Sequence, residues 1–238
     1  MSSRQEEKER RRKERKEREA AEARAATRKK RLQFVFAGLV TAGAVAAVVV
    51  FVVVGVGGGG GGGGDGEPIE PPDTANVQLP RQELGDVEEA AKAAGCKLTD
   101  TTVENAAHED REFKPSDYKQ NPPMGGNHNP VWYQDGIYEP GSVPRLGMLV
   151  HTLEHGRINI QYKPGTPAET VRQLEALYNE LESGYHLLVY ENTTGMEAAV
   201  AATSWEHQLT CPEMNDKVFD AIRTFRESYI DQGPEDVP

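Results

Sequence analysis

Cysteine is scarce, with two in 238 residues. Two thiols cannot build a disulfide-rich scaffold or a four-cysteine zinc site. Aromatic residues make up 7% and hydrophobic residues 37%. Both values are low for a chain that is globular throughout. Positive charge is concentrated at one end. Residues 1–31 hold 14 Lys/Arg against 7 Asp/Glu, and residues 32–238 hold 13 against 31. The body therefore carries a net charge of −18, against −11 for the whole chain. So acidic a body argues against nucleic acid as its partner, because its excess carboxylates repel phosphates.

What is present is ordered along the chain. Leu32–Val56 is 25 residues without a charge, and Gln33 and Thr41 are its clearly polar side chains. About 20 apolar residues span a bilayer core, so this run predicts one tilted transmembrane helix. A cleavable signal peptide would have a shorter apolar region ending in a small-x-small site. Here the run is longer and a glycine tract follows it. Arg28-Lys29-Lys30-Arg31 precedes the span, and no basic residue follows until Arg81. The positive-inside rule then puts the N-terminus in the cytoplasm and the C-terminal body outside the cell membrane.

Residues 1–31 form the basic cytoplasmic tail. Within it, pairs such as Glu6–Arg10 and Glu14–Arg18 support a charged helix. The tail has no apolar stripe, so it reads as solvated and drawn to anionic lipid by its last four basic residues. Residues 57–80 read as a linker. Gly57 to Gly64 are eight consecutive glycines, and Pro68, Pro71 and Pro72 follow. The first part is a flexible tether and the second an extended segment.

Residues 81–238 read as one extracytoplasmic domain, with its globular part ending near Gln232. Asp86 caps a short helix through Ala94, and Gly95 stops it. An irregular region from His108 to Arg145 carries six prolines. Leu146–Val150 is apolar and strand-like. Arg157–Tyr162 alternates as a half-buried strand does, with Ile158, Ile160 and Tyr162 on one face. Thr166-Pro167-Ala168-Glu169 is a capping box, opening a helix that stops at Ser183-Gly184. Two strands are expected at 187–190 and 198–203. Thr210-Cys211-Pro212-Glu213 repeats the capping pattern before a last helix with Val218, Phe219, Ile222, Phe225 and Tyr229 inside. The class is α+β, a small sheet with two or three helices behind one transmembrane helix. Cys96 and Cys211 both fall outside the membrane on this reading, in a compartment that permits one disulfide between them.

The densest chemistry lies between His108 and His155. Asn121-Pro122-Pro123-Met124-Gly125-Gly126-Asn127-His128 is followed by Gly136-Ile137-Tyr138. Then comes Val150-His151-Thr152-Leu153-Glu154-His155-Gly156, leading into the 157–162 strand. These stretches, with the late Ser204-Trp205 and the cysteine after it, resemble the bacterial family called domain of unknown function 3105. The resemblance covers about residues 95–230. It implies the layout of a basic tail, one membrane span and an outer domain, and it implies no established activity. One departure is visible: the family's P-P-T-S-G-P-H is here Pro-Pro-Met-Gly-Gly-Asn-His128.

Read from its own residues, His151-x-x-Glu154-His155 matches the H-x-x-E-H pattern of certain zinc peptidases. In those enzymes a helix holds both histidines on one face. The glycine at 156 and the surrounding prolines and strands argue against such a helix here. A looser site remains, in which His128, His151 and His155 converge with Glu154 as fourth ligand or supporting group. Imidazole suits copper and zinc, and Met124 or Met148 would bias the site toward Cu(I). The plain alternative is that the histidines hydrogen-bond backbone and Glu154 pairs with an arginine such as Arg157. His108, His186 and His207 read as surface or packing residues. The sequence thus points to a single-pass envelope protein that binds a metal or a partner without catalysis. A metal-dependent hydrolase built on His151, Glu154 and His155 is the alternative.

Overall fold

The computed structural model describes residues 66–143 and 145–235. The tail, the expected span 32–56 and the glycine tract lie outside the described residues. Among the described residues no helix is long and apolar enough to cross a membrane.

The fold is α+β. Its elements are α1 (Val87–Ala94), β1 (Lys97–Asp100), β2 (Gly136–Ile137), α2 (Leu146–Glu154), β3 (Ile158–Tyr162), α3 (Ala168–Glu180), β4 (Leu187–Glu191), β5 (Val200–Ser204), β6 (His207–Cys211) and α4 (Asp216–Tyr229). Among the described residues six strands form one mixed sheet in the order β1-β6-β5-β3-β4-β2. β3, β4 and β2 run parallel, while β3–β5, β5–β6 and β6–β1 are antiparallel. A parallel pair needs a long crossover, and α3 supplies it between β3 and β4.

The two faces of the sheet do different things. Side chains alternate across a strand. Ile158, Ile160 and Tyr162 of β3 join Leu187, Val189, Val200, Ala202 and Leu209 in one apolar core with α1, α3 and α4. Asn159, Gln161, Thr203 and Gln208 take the other parity, and they too are buried. Their cover is α2 and the irregular 101–145 region, held by polar contacts. Asn159 Nδ2 donates to Leu149 O at 2.9 Å, Thr152 Oγ1 donates to Asn159 Oδ1 at 3.0 Å, and Gln208 Nε2 donates to Pro122 O at 2.7 Å. The strand expected to be half-buried is buried on both faces because its polar side is satisfied by protein rather than by water.

Several expectations are met in detail. Asp86 accepts from Glu88 N and Glu89 N, and Gly95 closes α1 in the left-handed region. Val218, Phe219, Ile222 and Phe225 are buried on α4. Other expectations are corrected. Leu146–Val150 is helix, not strand, and the α-helices among the described residues number four. A short run that is apolar all round cannot be told from a strand by periodicity, and every residue of α2 is buried. Thr210 and Cys211 close β6, and the cap of α4 is Asn215, which accepts from Lys217 N. Residues 66–80, read as linker, run along the domain. Ile69 bridges to Ile137, and Asn179 Nδ2 donates to Pro72 O.

Cys96 and Cys211 are bonded to each other. The register places them as the next pair after Lys97 and Thr210 on β1 and β6. The bond thus fastens an edge strand to the body across a separation of 115 residues.

Candidate metal centre

The centre sits on the polar side of the sheet, where α2 meets the irregular region. His151 and Glu154 are on α2, and His155 caps its C-terminus at φ −84, ψ 13, close to helical. Residues three and four apart share a helix face. The H-x-x-E-H segment is therefore helical after all, and His151 Nε2 lies 3.0 Å from His155 Nε2. Gly156 then turns at φ +77, with the backbone of Asp231 so near that a Cβ would meet it at 2.8 Å.

His128 arrives from the loop and brings His108 with it. The two form a parallel bridge, with His128 N donating to Ala107 O and Glu109 N donating to His128 O. Their rings are 4.7 Å apart, and each is 4.7 Å from His151. Glu154 Oε2 lies 2.9 Å from His128 Nε2, 3.2 Å from His108 Nε2 and 3.9 Å from His151 Nε2. In the group His108, His128, His151 and Glu154, one ligand atom from each lies within 4.8 Å of all the others. A second group, His151, His155 and Glu235, meets the same limit. His108 was expected to be a surface or packing residue and instead joins the cluster, and Glu235 was not singled out in the sequence. They lie 20 residues before His128 and 80 after His155, in irregular chain without periodicity. His186 instead pairs with Asp231, and His207 with Asp100.

The protonation of the ring nitrogens follows from their partners. A carbonyl oxygen only accepts, so His128 Nδ1–H donates to Gly126 O and His151 Nδ1–H donates to Asn129 O, both at 2.7 Å. This bond to a backbone carbonyl fixes the tautomer and leaves the Nε2 lone pair for the centre. His128 Nε2 is fully buried and, despite its 2.9 Å approach to Glu154, has no hydrogen bond of acceptable geometry. The plain alternative is thus half present. The histidines do bond backbone, but with one nitrogen each, and the other faces a carboxylate. Arg157 does not pair with Glu154 and instead donates to Asp135 Oδ1 at 2.6 Å.

Burial lowers the pKa of His128 and His151 below the ordinary imidazole value. Burial, with His151 and Arg157 nearby, pushes His155 down to about 3. Burial and then Glu235 raise Glu154. The imidazoles are therefore neutral at pH 7, the form that ligates metal.

One glycine permits the arrangement. A Cβ on Gly147 of α2 would meet Asn129 Oδ1 at 2.4 Å and Phe113 Cδ2 at 2.5 Å. Asn129 cannot yield, because its Nδ2 donates to Glu109 O and Arg111 O and its carbonyl holds His151. Gly147→Ala is expected to cost on the order of 1–3 kcal/mol through overpacking, read as a lowered urea midpoint. An unchanged midpoint would show that the loop does not depend on this approach.

A cleft of about 240 Å³ lies beside the centre, lined by Val103, Phe113, Tyr118, Met124 and Gly126 among others, and by none of the four clustered histidines. Met148 packs away among Tyr133, Tyr138, Leu149, Leu188 and Tyr190.

Neither a curated protein nor a solved structure matches the chain. A family model does match, over residues 110–237, and its description is "Protein of unknown function (DUF3105)". That stretch holds His128, His151, Glu154, His155 and Glu235, and it starts just after His108. Covering more than half of the sequence, the match identifies the chain as a member of the DUF3105 family.

Proposed function

We propose that this protein binds one transition-metal ion, without catalysis, in a domain that a single membrane span holds outside the cell membrane. The carrying observation is the set of facing lone pairs. Buried Nε2 atoms of His128 and His151, each with its proton committed to the far side of the ring, point toward the Glu154 carboxylate. Lone pairs facing one another in a dry site repel unless a cation or a proton sits between them. Three imidazoles and a carboxylate suit Zn(II) or Cu(II). The charge step across residues 32–56 supports the anchor and its orientation.

The helical H-x-x-E-H segment also favours the hydrolase alternative, a zinc site with Glu154 as base. Binding is preferred because Glu154 lies inside the ligand set, 2.9 Å from His128, and the neighbouring cleft is not lined by the histidines.

Chelator-stripped full-length protein in detergent, titrated with Zn(II) and Cu(II), should bind one ion per chain. It should not hydrolyse peptide or ester substrates when loaded. Absence of binding to either ion would end the metal reading, and metal-dependent turnover lost in Glu154→Gln would favour the hydrolase. Reporter fusions after Asp65 should be active only outside the cytoplasm. A mature chain beginning in the glycine tract would remove the anchor.

A further inference from the structure

The two ligand groups overlap in a single residue. His151 belongs to both, and His151 Nδ1 already donates to Asn129 O at 2.7 Å. An imidazole bridges two metals only when both nitrogens are free to ligate. His151 therefore offers one lone pair, on Nε2, to two groups at once. Its Nε2 is 3.9 Å from Glu154 Oε2 on one side and 3.0 Å from His155 Nε2 on the other.

Resting on the metal reading, we infer that the centre holds a single ion with two alternative seats. In the first seat the ligands are His108, His128, His151 and Glu154. In the second they are His151, His155 and Glu235. His151 remains bound in both, so the ion changes seat by exchanging its other ligands without leaving the protein. Each seat has one partly exposed ligand, His108 with 41% and Glu235 with 43% of the side chain accessible, while the remaining ligands are buried. Solvent, or an ion donor or acceptor, thus reaches each seat through its own ligand.

The second seat is built by the C-terminal strap. Asp231 N donates to Gly156 O, Glu235 N donates to Glu154 O, and Gly233 passes so close to Glu154 O that a Cβ there would overlap it. The strap closes over the end of α2 and presents Glu235 Oε2 at 3.4 Å from His155 Nε2. Among the described residues the buried His155 Nδ1 and Trp132 Nε1 at this end have no hydrogen-bond partner.

The two tryptophans of the chain report on the centre. Trp132 lies 4.5 Å from the His155 ring and 5.1 Å from the shared His151 ring, and Trp205 lies 6.1 Å from the His128 ring, so the copper spectra rather than quenching distinguish the seats. The experiment uses full-length protein in detergent with Cu(II), read by tryptophan quenching and by electron paramagnetic resonance. The wild-type chain should bind one Cu(II), with both tryptophans quenched. His128→Ala and His155→Ala should each retain one ion, at least tenfold more weakly, with different copper spectra. His151→Ala should bind none. Glu235→Gln, a change at a partly exposed side chain, should leave the count at one and speed copper loss to a chelator several-fold. Two ions per wild-type chain would overturn the shared-ligand inference and leave metal binding standing. So would full loss in His128→Ala together with an unaltered spectrum and release rate in His155→Ala and Glu235→Gln, since that is a single seat. No binding by the wild-type chain would overturn the metal reading itself.

Discussion

Reduction of the Cys96–Cys211 bond should lower the stability of the folded domain by about 4–5 kcal/mol, the loop-entropy value for a closure of this length. The bond closes a separation of 115 residues. Antiparallel pairing holds the two positions face to face on β1 and β6 whether or not the sulfurs are joined. The effect therefore falls on the unfolded chain, which regains its freedom. With a urea slope of about 2 kcal/mol/M, the midpoint should drop by roughly 2 M. Cys96→Ala gives the same comparison without reductant, and Cys96 is the partner of choice because Cys211 is fully buried. A midpoint that moves by less than about 0.5 M, a quarter of the loop-entropy expectation, would show that the bond adds little to the fold.

Acid should unfold the metal-free protein well above the usual carboxylate range. His128, His151 and His155 are all held below their unfolded pKa by burial. The unfolded chain then binds more protons than the native one as pH falls below about 6.5. Their contribution to stability is fully present above that pH. It is lost on acidification at up to about 1.4 kcal/mol per pH unit for each ring, until the folded pKa is reached. For His155 the loss continues down to about pH 3. Glu154 works with the opposite sign. Its pKa is raised in the fold, so its contribution is present at low pH and lost as pH rises through the folded value. One carboxyl offsets part of what three imidazoles lose. Acid also relieves the excess negative charge of the body, which favours folding. His155→Asn isolates the ring from these background terms. Thermal midpoints in chelator should fall from pH 7 to pH 5 more steeply for wild type than for His155→Asn. Parallel curves would show that the buried ring does not control the acid limit. Bound Zn(II) should move the fall to lower pH, because the ion competes with protons for the same lone pairs.

The sequence by itself settled what depends on neighbours in the chain. Asp86 and Gly95 bound α1 as their local chemistry requires, and the alternation in Ile158–Tyr162 named the residues that meet the apolar core. The motif stretches led to the family, and the H-x-x-E-H segment located half of the centre. The tertiary structure decided what depends on distant segments. Leu146–Glu154 is a helix enclosed on every side, and the short apolar run 146–150 that opens it carries no period to announce that. His108 joins His128 through backbone pairing of two irregular stretches, which leaves no pattern in the residues. Glu235 reaches His155 only because the strap after α4 folds back across Gly156. Candidate ligands such as these are brought together by convergence in space, and outside a helix or strand nothing in the order of residues encodes it.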